Sequence, residues 1–305
     1  MHNQELFKSK ILYFTIVISC IPALLFSSRL EINFNANWKF KRGDNSTYKN
    51  VVIDDTDWRI VSVPHDWSFE EGISKSGTQG QSGGYHDGGI GWYRKTFEME
   101  ANSKEKAIYI EFDGVYMNSE VWFNGHYLGK RPYGYISFRY EISKYVKEGQ
   151  NTLAVRVDNS KEPSARWYHP CGIYAPVRMI VTNKLHFAPN SVAVRTPKIT
   201  KDSAVVNIDF KLLNLADKWP DAYTTLAVIS PDGKELLTLN KEINSSEPYG
   251  NVFFSVKQPK LWDLESPKLY TLITRIKNGE VVLDEIHTKF GIREIDWKTE
   301  TAFYL

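Results

Sequence analysis

AIYIEFDGVYMNSEVWFNGHYLGKRPYGYISFRYEISKYVKEGQNTLAVRV, residues 107–157, decides the fold class of this chain. Leu153, Val155 and Val157 recur at every second position, and the run AIYIEF at 107–112 carries the same two-residue period. Successive side chains of a strand point to opposite faces, so this period puts one face of each segment in a core and the other in water. Asn124 and Gly125 stand between apolar runs. Both residue types accept the positive φ of a tight hairpin turn. ISKYVKEG, 142–149, predicts about two helical turns ending at Gly149, and nothing longer after residue 28 has helical periodicity. The chain is therefore read as all-β.

Downstream, VTNKLHFAPN interrupts the strands near residues 183–190 and marks a boundary. Beyond it come VVNIDFKLLN, TTLAVISPDGKELL, NVFFSV and LYTLITRIKNGEVVLDEI, the strand-and-turn spacing of an immunoglobulin-like sandwich. Asp232-Gly233 and Asn278-Gly279 each predict a hairpin, and no Cys-Trp-Cys spacing is present, so the antibody type is excluded. The expected division is 29–185 for the first β-domain, 186–291 for the second, and 292–305 for the start of a linker.

The remaining sequence narrows the function classes. A charge of +2, from 38 basic and 36 acidic residues without like-charge blocks, offers no track for a phosphate backbone, so nucleic acid is not an expected partner. The aromatic share of 14% suits both strands and surfaces that stack on sugar rings. Residues 1–28 carry Lys8 and Lys10, then ILYFTIVISCIPALLF, then Ser27 and Ser28, the order of a secretory signal. An exported protein, periplasmic or secreted, is the expectation. A lipoprotein anchored at Cys20 is the alternative, although residues 21–26 stay apolar. Cys20 and Cys171 imply no disulfide framework, and seven scattered His residues give no zinc spacing. No cofactor pattern is evident, while a cation held by carbonyls or carboxylates leaves no such trace.

NANWKFKRGD (35–44), VPHDWSFE (63–70), GGIGWYRKTFE (88–98) and FDGVYMNSEVWFNGHYLGKRPYGYISFRYEIS (112–143) closely resemble the sugar-binding domain of family 2 glycoside hydrolases of the β-galactosidase type. NTLAVRVDNSKEPSARWYHPCGIYAPVRMIV (151–181) looks like a further segment of that domain, and KLWDLESPKLYTL (260–272) and FGIRE (290–294) are similar to the close of its immunoglobulin-like domain. The resemblance spans about residues 31–305. It implies a jelly-roll-like, galactose-binding-type sandwich followed by the immunoglobulin-like one. It departs from the family pattern at His169, Pro170, Cys171, Gly172, Ile173, Tyr174 and Ala175, where small residues are usual earlier and an Arg commonly follows the Tyr.

The same resemblance implies catalysis by two Glu residues on a (β/α)₈ barrel, acting with retention. That chemistry needs carboxyl groups about 5–5.5 Å apart. A barrel takes about 250 residues, and no βα repeat follows Gly291. No catalytic residue is therefore expected in these 305 residues. Glu70-Glu71, Asp54-Asp55 and Glu98 read as solvated charges. What the first domain could supply is a wall of a sugar pocket. Asp158 matches the family's sugar-touching Asp, and Asn159, Arg166, Trp167 and Tyr168 follow on the same loop as candidate substrate-binding residues. Asp158 and Asn159 could instead cap a turn, and the aromatics could be buried anchors. His65-Asp66-Trp67 reads as a structural turn rather than a dyad, and His86 and Asp87 as a solvated loop.

The expected function is the non-catalytic part of a glycosidase that hydrolyses terminal β-glycosides. β-Galactosides are the first expectation, with β-glucuronidase or β-mannosidase as rival specificities. The expected partners are the carbohydrate and a catalytic barrel, joined in cis or as a separate chain. A stand-alone carbohydrate-binding module and a structural β-sandwich protein are the rivals from other classes.

Overall fold

A computed structural model describes residues 29–161, 169–298 and 302–304. The expected secretory signal, residues 1–28, and the candidates Arg166, Trp167 and Tyr168 lie outside the described residues. The first unit holds β1 (Arg29–Asn33), β2 (Trp38–Arg42), β3 (Arg59–Val61), the short helix α1 (Trp67–Glu71), β4 (Gly89–Met99), β5 (Lys106–Phe112), β6 (Ser119–Phe123), β7 (His126–Arg131), β8 (Phe138–Glu141), β9 (Gly149–Asn159) and β10 (Val177–Asn183). They form two antiparallel sheets, β1-β10-β5-β8 and β3-β2-β4-β9-β6-β7.

Alternation decides which residues fill the space between these sheets. Leu153, Val155 and Val157 from β9 meet Ile108, Ile110 and Phe112 from β5, all fully buried. Trp38, Trp67 and Tyr93 fill the same core. Burying one such side chain contributes on the order of 1.5–3 kcal/mol, so the packed faces stabilise this unit without a disulfide. The β6–β7 hairpin turns at Asn124 and Gly125, whose φ angles of 49° and 81° are both positive. A β-branched residue at either position would be strained.

The two helical turns expected at 142–149 do not form. Only a 3₁₀ turn, Ser143–Tyr145, is present. Its groups are committed elsewhere: Ser143 Oγ accepts from Ile108 N, and Glu141 Oε1 accepts from Ser143 N. From Gly149 onward the chain pairs with β4. Tertiary hydrogen bonds override the local propensity.

Sheet membership changes between Asn183 and Leu185. The second unit holds β11 (Leu185–Phe187), β12 (Ala193–Ile199), β13 (Ser203–Asn214), β14 (Tyr223–Ile229), β15 (Glu235–Glu242), β16 (Tyr249–Lys257), β17 (Tyr270–Asn278) and β18 (Val281–Phe290). β13 pairs with β11, β12 and β16, and the facing sheet runs β15-β14-β17-β18. Ile208, Phe210, Leu226, Leu272 and Ile276 pack between the two sheets. The expected hairpins turn at Gly233 and Gly279, with φ angles of 79° and 55°. The register of β12 breaks between Arg195 and Lys198, around Pro197.

Polar groups join the two units. Asp284 of β18 is fully buried and receives Arg29 Nε at 2.9 Å, Arg29 Nη2 at 2.7 Å and Phe187 N at 2.8 Å. Thr182 Oγ1 approaches the same carboxylate at 3.4 Å. Arg29 and Thr182 belong to the first unit, Phe187 and Asp284 to the second. Beside them, buried His186 faces the Tyr109 hydroxyl through Nε2 at 2.9 Å and the carbonyls of Asn183 and Lys184 through Nδ1.

Candidate functional site

Asp158 and Asn159 end β9, opposite Ile90 and Gly89 of β4, and the strand period sends them to opposite faces. Asp158 is half-buried. Its Oδ1 accepts from Ser160 N at 3.0 Å and Ser160 Oγ at 2.6 Å, and its Oδ2 accepts from Arg156 Nη2 at 3.2 Å. Burial opposes its charge, but the Ser160 bonds and the Arg156 guanidinium outweigh it and hold the carboxyl below its ordinary value. A carboxylate offers about four acceptor positions, so Oδ2 retains capacity for one hydroxyl. Asn159 is turned inward and buried; its amide donates to Cys171 Sγ at 2.9 Å and its carbonyl accepts from Gln79 Nε2.

Asp158 leads to a set of aromatic residues. Its N–H donates to Met117 O at 2.9 Å, and Asn118 Nδ2 donates to its carbonyl. One residue before Met117, Tyr116 exchanges both backbone hydrogen bonds with Gly172. The Tyr116 ring stacks on His169 with centroids 4.8 Å apart and planes at 12°. His169 Nδ1 is bonded to the Tyr135 hydroxyl, and Tyr174 donates its hydroxyl to Gly134 O at 2.8 Å. Gly134 has no room for a side chain, since a Cβ there would lie 2.4 Å from Tyr116 Cδ2. Residues 116–118, 133–135, 158–160 and 169–174 therefore form one connected rim.

The other polar groups that stand out in the sequence support this rim from below. Asp66 caps α1, accepting from Ser68 N and Phe69 N, and also accepts from Cys171 N at 2.9 Å. His65 instead meets the Tyr93 hydroxyl at 2.6 Å, Glu70 at 3.1 Å and Arg59 at 3.1 Å, so the neighbouring His and Asp serve different partners. Burial pushes the Cys171 thiol up to about 11, which leaves it protonated and inert at neutral pH. His86 Nδ1 lies against Ser68 O, which ties the glycine-rich loop to α1, and Asp87 accepts from Thr78 N in the segment between them. Glu70 pairs with Arg59, Glu71 with Arg42, and Asp55 with Lys39 and Arg94. Each of these carboxylates is paired with a cation, and Glu71 is held above its ordinary value by burial, with smaller contributions from the neighbouring Asp87 and Glu70 carboxylates. Among the described residues no group of three His, Cys, Asp or Glu side chains could hold a metal.

Residues 32–183 match the sugar binding domain of glycosyl hydrolases family 2, and residues 190–293 match a second domain of glycosyl hydrolases family 2. The chain belongs to glycosyl hydrolase family 2. A protein of Formosa agariphila, by name only a beta-glucuronidase, is 52% identical over 295 residues, covering 94% of this chain and 28% of its own length. A beta-galactosidase of Bacteroides ovatus is 39% identical over 292 residues, covering 94% of this family 2 chain and 34% of its own length. A beta-glycosidase structure from Bacteroides vulgatus superposes with a TM-score of 0.83 at 35% identity, over 90% of this chain and 35% of that one. This family 2 chain thus spans about a third of the length of the relatives it matches.

The buried histidines give this family 2 chain an acid limit. Burial lowers the pKa of both His65 and His186 below the ordinary 6.5. Each then binds fewer protons folded than unfolded, so stability is complete above about pH 6.5 and is lost as pH falls through the folded values. Asp44, held low by its bond from Arg156, extends the loss below its ordinary 3.8. The urea midpoint is expected to be flat from about pH 7 to 8 and to fall from about pH 6.5 downward. His186→Gln should flatten the upper part of that fall. A midpoint that is unchanged between about pH 6.5 and 5 would refute the assignment.

Proposed function

We propose that this chain is the non-catalytic, sugar-facing part of a glycosidase acting on terminal β-glycosides, and that Asp158 supplies one wall of its pocket. The observation that carries this reading is the position of Asp158. It ends a core strand of the matched sugar binding domain, on an open rim, with an ionised carboxylate that keeps acceptor capacity. Ser160 and Arg156 fix its orientation in advance, so little ordering is needed when a hydroxyl arrives. Chemistry would come from a barrel carrying two Glu residues, one attacking the anomeric carbon and one protonating the leaving oxygen.

β-Galactoside is the first proposed substrate. β-Glucuronide is the second, favoured by the 52% identical Formosa agariphila relative. The chain alone is expected to release no nitrophenol from p-nitrophenyl β-galactoside or β-glucuronide. Joined to a family 2 barrel, it is expected to turn over one of them, and Asp158→Ala should then lower kcat/KM roughly ten- to a hundredfold, as for a lost charged hydrogen bond of about 1.5–3 kcal/mol. Turnover by the chain alone would refute the non-catalytic reading. Unchanged kinetics with lowered stability in Asp158→Ala would show that the Ser160 turn is the residue's whole role.

A further inference from the structure

Tyr133 and Tyr135 are exposed at 58% and 47%, and their rings meet edge to face at 5.7 Å. An exposed ring on a loop is commonly free to rotate, but Tyr135 is braced and Tyr133 rests against it. Tyr135 packs on Tyr116 at 5.1 Å, meets His169 at 5.9 Å and Tyr174 at 6.3 Å, and is bonded to His169 through its hydroxyl. The backbone between the two tyrosines is pinned at Gly134 by the Tyr174 hydroxyl and by the contact with Tyr116. Burial, and then the neighbouring phenols, raise the cost of ionising Tyr135 and Tyr174.

The result is a neutral, rigid surface of ring faces edged by phenolic oxygens. A pyranose has the complementary form, with an apolar C–H face and hydroxyls at its rim. Rings already held in place lose little freedom on binding. The surface belongs to the matched sugar binding domain. It joins Asp158 through Tyr116 and Met117.

We propose that Tyr135, braced by Tyr116 and His169, and Tyr133, which rests against it, form a saccharide-stacking platform for a second pyranose unit of a β-linked substrate, beside the unit that Asp158 contacts. The proposal rests on the glycoside reading above. It adds that the enzyme recognises oligosaccharides rather than single sugars with arbitrary leaving groups.

The test is a calorimetric and aromatic NMR titration of the chain with β-1,4-galactotriose and with methyl β-galactoside. The trisaccharide is expected to bind with a roughly millimolar Kd and to shift the Tyr133 and Tyr135 ring signals. The pair Tyr133→Ala with Tyr135→Ala should lose about tenfold in trisaccharide affinity while its circular dichroism stays that of the parent. Tyr135→Phe keeps the ring and should bind within about threefold of the parent. Equal binding by the double variant would overturn the platform and leave the Asp158 wall standing. No trisaccharide binding by the parent would also overturn it, while the glycoside reading would still be decided by turnover in the barrel-joined protein.

Discussion

Replacing Asp284 by alanine is expected to remove about 3–5 kcal/mol of folding free energy and to split one unfolding transition into two. The carboxylate is fully buried and takes two bonds from the Arg29 guanidinium, whose Nη2 also reaches Phe187 O at 3.3 Å. It also accepts the N–H of Phe187, the last residue of the second unit's first strand. Removing it takes the charged acceptor from a largely buried guanidinium, which keeps only weaker, neutral contact such as Phe187 O at 3.3 Å, and takes the acceptor of the Phe187 N–H, and that desolvation is what makes the loss large. Because Arg29 and Asp284 sit in different sandwiches, the cost falls on the coupling between them. Scanning calorimetry of the parent should show one peak, and that of Asp284→Ala two. Arg29→Met combined with Asp284→Leu should recover much of the loss, since an apolar pair of similar volume leaves no buried charge. A loss below about 1 kcal/mol, or a parent that already unfolds in two steps, would mean that the sandwiches are independent.

The second large effect is expected at Arg94. This side chain is 2% exposed and spends its guanidinium on the segment that precedes β3. It donates to Asp55 Oδ2 at 3.0 Å, to Tyr48 O at 2.7 Å, to Asn50 O at 2.8 Å and to Val51 O at 3.1 Å. That segment covers Trp58, Trp92 and Trp122 on the outer face of the six-stranded sheet. Arg94→Met should cost about 3–5 kcal/mol and expose these indoles, read as a red shift and quenching of tryptophan emission before global unfolding. Arg94→Lys keeps the charge but not the planar fork, so it should recover less than half of the loss. Parent-like emission and stability in Arg94→Met would show that the segment is held by its apolar contacts alone.

How much of this was legible in the sequence depends on the range over which each feature is determined. Leu153, Val155 and Val157 share a face because of a two-residue period, and Asn124-Gly125 turns because both residues accept positive φ. Both are local facts, and both were readable. The 3₁₀ turn at Ser143–Tyr145 was not, because its competitor is a hydrogen bond from Ile108, 35 residues away. The short helix α1 depends on its Asp66 cap, a signal that was present but read only as a turn.

At the candidate site the same limit applies. The position of Asp158 at the end of its strand followed from the pattern, whereas its engagement by Arg156 and the inward turn of Asn159 onto Cys171 required the packed structure. The aromatic rim joins segments near residues 116, 134, 158 and 172, and no local period connects them. A sharper signal existed in Tyr-Gly-Tyr at 133–135, where a glycine between two aromatics marks a close backbone approach. The Arg29–Asp284 link, 255 residues apart, had no local trace.

The register break at Pro197 bears on how this molecule behaves when concentrated. Among the described residues β12 pairs with β13 alone and is a sheet edge, the place where an unrelated strand could add by backbone hydrogen bonding. Proline has no N–H to offer, and the shift between Arg195 and Lys198 displaces the donors and acceptors on either side of it. Two cationic side chains flank the gap. An incoming strand therefore meets a ladder with a missing rung, and pairing that starts at Ala193 cannot run the length of the edge.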